Sequence, residues 1–351
     1  MSPRRRRVTK PPALRPEDTR MFQEASQAPQ VVARLLAANR QAAHALGAEL
    51  RAAPPRAVVT CARGSSDHAA TYAKYLIETA TGVVTSSAAL SVSSVYAAEP
   101  KLEGMLYLAV SQSGKSPDLL AAVEAARQGG ALTVALVNDE TSPLADLADK
   151  VLPLHAGPEV SVAATKSYIA ALAAIAQLVA AWTQDEALEA ALDALPDTLA
   201  QAWTLDWSAA ALRLKTARNL YVLGRGVGFG VAQEAALKFK ETCGLHAEAF
   251  SAAEVLHGPM ALVQKDFPVL VFAQDDQSEE GVAALARDLA ARGADVMMAG
   301  AGGGLPTLPA HPALEPIVRI QGFYRMANAL SILRGHDPDR PPHLNKVTET
   351  V

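Results

Sequence analysis

The chain has 351 residues, half of them hydrophobic, enough to bury a large core and to fold as two domains. Its formal charge is −4, and because residues 1–20 hold seven basic and two acidic side chains, about −9 is left for the rest, an acidic body with no stripe for a phosphodiester backbone. No apolar run reaches membrane-span length, and the two cysteines, Cys61 and Cys243, have neither CxxC nor metal-ligand spacing, which suits a reducing cytoplasm.

In chain order, residues 1–20 are expected to form a disordered basic tail, since Arg4 to Arg7 lead into Val8-Thr9-Lys10-Pro11-Pro12 and not into the apolar core of a secretion signal. Residues 21–52 place Val31, Leu35, Leu36, Ala43 and Leu46 at helical spacing and predict one or two helices. Residues 53–190 then read as strand-turn-helix units. A strand begins at Arg56 and a helix runs from His68 to Thr79. Strand Met105 to Val110 leads into helix Ser116 to Gln128, and strand Leu132 to Leu136 follows. A short strand, Lys150 to Leu154, and a long helix, Ala163 to Trp182, complete the set.

Residues 191–213 predict a helical linker, part of a helical stretch with Pro196 and a Trp203/Trp207 pair that reads as core or interface anchors. Residues 214–335 repeat the first pattern. Strand Asn219 to Gly224 leads into helix Gly230 to Thr242, and strand Val269 to Ala273 into helix Ser278 to Arg292. Strand Asp295 to Ala299, a short strand Pro316 to Ile320 and a helix Gly322 to Arg334 follow. Such alternation predicts an α/β fold of two tandem subdomains, each a parallel sheet flanked by helices in three layers, with ligands beyond the carboxyl ends of the strands. Residues 336–351 are polar and proline-rich and on composition alone read as a disordered terminus.

The turn Ser111-Gln112-Ser113-Gly114-Lys115-Ser116 sits between a strand and a helix. Hydroxyls and free N–H groups at a helix N-terminus converge on an anion, so this turn is a candidate phosphate cradle. Two alternatives stand beside it. Gly114-Lys115-Ser116 matches the end of the nucleotide-wrapping P-loop, but Ala109 occupies the place of its first glycine. A serine-rich turn can also do no more than cap its helix.

Beyond this turn, Gly64-Ser65-Ser66, Val162-Ala163-Ala164-Thr165-Lys166, Glu234-Ala235-Ala236-Leu237-Lys238-Phe239-Lys240-Glu241, His246-Ala247-Glu248-Ala249 and Glu254-Val255-Leu256-His257-Gly258-Pro259 occur in one order. Together they resemble the sugar isomerase (SIS) family, in particular the isomerase half of glucosamine-6-phosphate synthase. The resemblance runs from about Met21 to Asn345-Lys346-Val347-Thr348. It implies two tandem SIS subdomains and a homodimer with shared active sites. It also implies a sugar phosphate held by Ser111, Gln112, Ser113 and Ser116, with Ser66, Val162, Ala164 and Asn345 against the sugar.

Moving a proton between C1 and C2 of an open-chain sugar needs a base within reach of both carbons, and neither a metal nor an organic cofactor. Lys238 and Glu241 lie three residues apart on one helical face and fit that chemistry, although the spacing alone suits an ordinary surface pair equally. By resemblance, Glu241 shuttles the proton and Lys238 assists at the sugar oxygen. His257, from the neighbouring subunit, opens the ring, and Lys346 forms a Schiff base with the ketose, in a tail expected to fold over the site when ligand binds. His68 and His246 read as structural.

The sequence begins Met1-Ser2-Pro3 and carries no glutaminase segment ahead of the isomerase-like region. The expected reaction is therefore deamination, glucosamine 6-phosphate plus water giving fructose 6-phosphate plus ammonia. Ala164 and Asn345 depart from the synthase's serine and alanine, which leaves galactosamine 6-phosphate or a fructosamine phosphate as alternatives. A non-catalytic sugar-phosphate sensor is the other class, but it would not need Glu241, His257 and Lys346 together.

Overall fold

A computed structural model describes residues 14–300 and 302–346. A 3-10 turn, Pro16–Asp18, leads into α1 (Arg20–Ser26) and α2 (Ala28–Ala52). Thr19 caps α1 by accepting the Phe22 N–H and donates its hydroxyl to Asn328 Oδ1 at 2.7 Å. The expected disordered tail is thus corrected at its end. Residues 14–20 belong to the fold, and residues 1–13 lie outside the described residues.

The first subdomain runs β1 (Val58–Cys61), α3 (Ser65–Thr81), β2 (Thr85–Ser87), α4 (Ser91–Ser94), β3 (Leu106–Ser111), α5 (Pro117–Gln128), β4 (Leu132–Val137), α6 (Pro143–Leu147), β5 (Lys150–Pro153) and α7 (Lys166–Thr183). Its five strands are parallel in the order β2-β1-β3-β4-β5. All six residues of β3 are buried, the burial a central strand has when helices cover both faces. Helix α7 is long and apolar enough to cross a membrane, but it is a core helix, buried almost throughout and packed on α2, α3 and α8 (Glu186–Ala202).

After α9 (Ser208–Leu214), the second subdomain runs β6 (Asn219–Gly224), α10 (Phe229–Cys243), β7 (His246–Ser251), two 3-10 turns (Ala252–His257 and Pro259–Leu262), β8 (Pro268–Phe272), α11 (Glu279–Ala291), β9 (Asp295–Ala299) and α12 (Glu315–Leu333). Four parallel strands lie in the order β7-β6-β8-β9. The expected strand Pro316 to Ile320 is a correction, for these residues form the first turns of α12. Pro316 is acceptable in a helix's first turn, and Glu315 pairs with Arg319 one turn on at 2.9 Å. The run Ile317-Val318-Arg319-Ile320 is buried in the helix, and a buried helix shows no periodicity to separate it from a strand.

The halves meet where α10 crosses α3. A Cβ on Gly230 would lie 2.4 Å from the His68 carbonyl oxygen, so the crossing needs a residue with no side chain there. This approach sets Ser65 and His68 of α3 against Glu234 and Lys238 of α10.

Candidate active site

A cleft of about 300 Å³ opens beyond the carboxyl ends of β1 and β3. One wall runs from Arg63 to Ser66, the turn after β1 and the first residues of α3. Another is the turn after β3, with Ser111, Gln112, Ser113 and Ser116 all facing the space. Val162 and Ala164 flank it, Glu241 stands at one side, and Leu344, Asn345 and Lys346 of the C-terminal segment close over it. Every candidate residue for phosphate and sugar therefore lines one cleft, together with two of the four catalytic candidates.

The turn is held by its own first residue. Ser111 Oγ accepts the Gly114 N–H at 2.9 Å, and Gly114 adopts φ +64°, a left-handed conformation with no room for a Cβ, which would lie 2.2 Å from Ser142 Oγ. Ser116, in extended conformation before α5, makes no capping bond with its side chain, so its hydroxyl is open to a ligand and the turn is not a simple cap. Lys115 pairs with Asp139 at 2.9 Å and does not line the cleft, which removes the P-loop reading.

At the other end, Lys238 is fully buried behind the cleft. Its ammonium donates to Glu241 Oε2 and to Ser65 Oγ at 3.2 Å, and lies 3.3 Å from Glu234 Oε1. Burial alone would push this ammonium down, but Glu234 and Glu241 outweigh it and hold it up at about 12. Lys238 is thus a fixed cation that orients the Glu241 carboxylate, itself 18% exposed at the cleft wall.

Glu234 is the hub beneath this pair. Its carboxylate accepts from Ser65 Oγ at 3.2 Å and Tyr324 Oη at 3.1 Å, and meets His68 Nδ1 at 3.0 Å. Sequence reasoning gave Glu234 no role, although Glu234, Lys238 and Glu241 stand at i, i+4 and i+7 on one face of α10.

Lys346 Nζ donates to the buried Glu159 carboxylate at 3.2 Å. Glu159 also accepts the Thr165 N–H, the Ser167 N–H and the Ser167 hydroxyl, at 3.0, 3.1 and 2.6 Å. Burial would raise this carboxyl, but Lys346 and those donors outweigh it and hold it below the usual carboxylate range. No spacing in the sequence links Glu159 to Lys346. Arg63, which pairs with buried Asp118, was missed for the same reason.

His257 is the one catalytic candidate away from this region. It is the exposed last residue of the 3-10 turn after β7 and does not line the cleft of its own chain. Among the described residues, no group of three or more His, Cys, Asp or Glu side chains converges as a metal site.

The SIS domain family matches residues 53–181 and 213–299. Over 315 residues the chain is 35% identical to the isomerizing glutamine–fructose-6-phosphate aminotransferase of Zymomonas mobilis, covering 82% of this chain and 51% of that protein. The chain thus spans about half the length of the curated relatives it matches. A crystal structure from Silicibacter pomeroyi, of a protein proposed to be a phosphosugar isomerase, superposes with a TM-score of 0.88 at 45% identity, over 92% of this chain and all of that one. The glucosamine-6-phosphate deaminase of Thermotoga maritima shares the fold, with a TM-score of 0.78 at 24% identity over 95% of this chain and all of that one.

Proposed function

The chain belongs to the SIS domain family, and from that premise we propose that it is a phosphosugar aldose–ketose isomerase that deaminates glucosamine 6-phosphate to fructose 6-phosphate and ammonia. The similarities support a phosphosugar isomerase-type function. The observation that carries the finer reading is the cleft itself, with an anion cradle at one end and a carboxylate fixed by a buried ammonium at the other.

In this reading the serine turn holds the 6-phosphate and Glu241 meets the far end of the open chain. Glu241 takes the proton from C2 and returns it to C1, while the aldehyde oxygen gains a proton and becomes the C1 hydroxyl as the C2 nitrogen gives one up. The product is a C2 ketimine. Lys346 passes a proton from its ammonium to the ketimine nitrogen, adds to C2 as the free amine and expels ammonia, and water then cleaves the protonated Schiff base to release fructose 6-phosphate and return the lysine ammonium. Glu159, within hydrogen-bond distance of Lys346 Nζ, keeps the amine over the cleft. Water is the co-reactant in this direction, so the reaction needs nothing beyond the substrate and the solvent.

His257 acts in a second copy's cleft, which makes the working unit a homodimer. The exposed Leu256 and Leu262 on either side of His257 are apolar surface that a second copy would cover.

The test is incubation of the purified chain with glucosamine 6-phosphate or galactosamine 6-phosphate and assay of ammonia and ketose phosphate. Ammonia from the first is expected. Ammonia from neither ends the deaminase reading. Glu241→Gln should lower kcat by about 10²–10⁴-fold and leave substrate binding largely intact, because the carboxylate acts on the carbons and the turn holds the phosphate.

A further inference from the structure

We propose that Arg63 is a ligand of the substrate phosphate, aimed by Asp118, and that it gives the site its preference for the dianionic phosphate ester. The inference rests on the phosphosugar reading of the cleft and assigns a residue that reading did not use.

Arg63 is the second residue after β1, and its half-exposed side chain lines the cleft with the serine turn. Nε and Nη2 both donate to Asp118 Oδ2, at 2.9 and 2.6 Å. Nη1 has no protein partner among the described residues, so one edge of the fork is anchored and another is open. Asp118 is the second residue of α5, two after Ser116, and its carboxylate is fully buried. That neighbour places the guanidinium beside the serine turn, at the phosphate end of the cleft.

The charges explain why the pair is there. A buried carboxylate in the first turn of α5 suits the helix dipole, but alone it would repel an anion docking at the same terminus. Arg63 neutralises it and turns the rim of the cradle positive. Ser111, Gln112, Ser113 and Ser116 are neutral groups and separate mono- from dianion weakly. A guanidinium held in one orientation is a charge-assisted donor and favours the doubly charged ester. The second ionisation of a phosphate monoester lies at about pH 6, so affinity should rise as pH passes upward through that value.

The test compares wild type, Arg63→Lys, and the double variant Arg63→Met with Asp118→Asn, which removes both charges and leaves no buried carboxylate unpaired. Calorimetric binding of inorganic phosphate, and of glucosamine 6-phosphate with Glu241→Gln added to every protein compared so that none turns it over, is read at pH 5.5 and 7.5, alongside thermal melting. The double variant should bind both roughly 10- to 100-fold more weakly at the higher pH, with a much smaller loss at the lower one, and Arg63→Lys should recover part of the affinity. In turnover, KM should rise and kcat should change little. Unaltered binding at both pH values in a folded double variant overturns the proposal. Should that variant fail to fold, Arg63→Lys decides, because binding and pH dependence equal to wild type would show that the fork is not used. Arg63-dependent binding without ammonia release would sink the deaminase reading alone. A wild type that binds neither probe would sink both.

Discussion

Glu159 and Lys346 meet at 3.2 Å although 187 residues separate them, and this contact places the C-terminal segment over the cleft. Glu159 is fully buried and Lys346 about a quarter exposed, so each partner loses something different when the other is removed.

Glu159→Gln keeps the shape and removes the charge. Lys346 can turn to water, which places the expected stability loss at roughly 1–2 kcal/mol, below that of a pair buried on both sides. The Glu159 carboxyl is held below its ordinary value of 4.5, so the pair's contribution is present above that value and is lost as pH falls through the lower, folded one. The variant should therefore flatten the acid limb of the stability profile below about pH 4.5 and expose the C-terminal segment to trypsin. An acid limb and cleavage pattern like those of wild type would show that Glu159 does not hold the tail.

Lys238 is the opposite case, a raised group between two carboxylates. Lys238→Met should cost about 3–5 kcal/mol, because Glu234 and Glu241 would face each other with no cation between them. Its contribution is fully present below the unfolded value of about 10.4 and lost only as pH rises through about 12. Chemical denaturation should thus give a large loss at pH 9 and one no larger at pH 6, where one of the two facing carboxyls can take up a proton. A loss that grew as pH fell would mean another group carries it.

Gly114 tests the cradle separately from the chemistry. Gly114→Ala would strain φ +64° and drive a Cβ into Ser142, at a cost of about 1–3 kcal/mol, and the turn would shift. Steady-state kinetics should show KM raised well beyond any change in kcat. A variant impaired in kcat alone would place the phosphate elsewhere.

Much of this was legible in the sequence because it was local. Strand-turn-helix order gave the two sheets, and the serine turn and the Lys238/Glu241 spacing pointed to the two ends of the cleft. The edge strands β2 and β7 escaped notice. The first has only three residues, and the second, His246–Ser251, was read only as part of a motif block. Pro316 to Ile320 was misread because β-branched residues in a buried helix look like a strand. Glu159 with Lys346, and Arg63 with Asp118, could not be seen, since each pair joins distant segments and only the folded chain brings them together.

His257 offers the sharpest test of assembly. It is exposed and lies outside its own chain's cleft, so a second copy must supply it if it acts on the sugar. In a two-fold dimer whose sites combine Glu241 of one chain with His257 of the other, each single variant, Glu241→Gln or His257→Asn, has two defective sites. Mixing them under conditions that let subunits exchange makes heterodimers in which one site has lost both groups and the other has neither substitution. Random exchange should then restore about a quarter of wild-type activity from two weakly active proteins. Sites built from a single chain would give only the mean of the two variants, however long they were mixed. Gel filtration of the mixture must show dimers for the comparison to hold, and a monomeric elution with full wild-type activity would rule out the shared site.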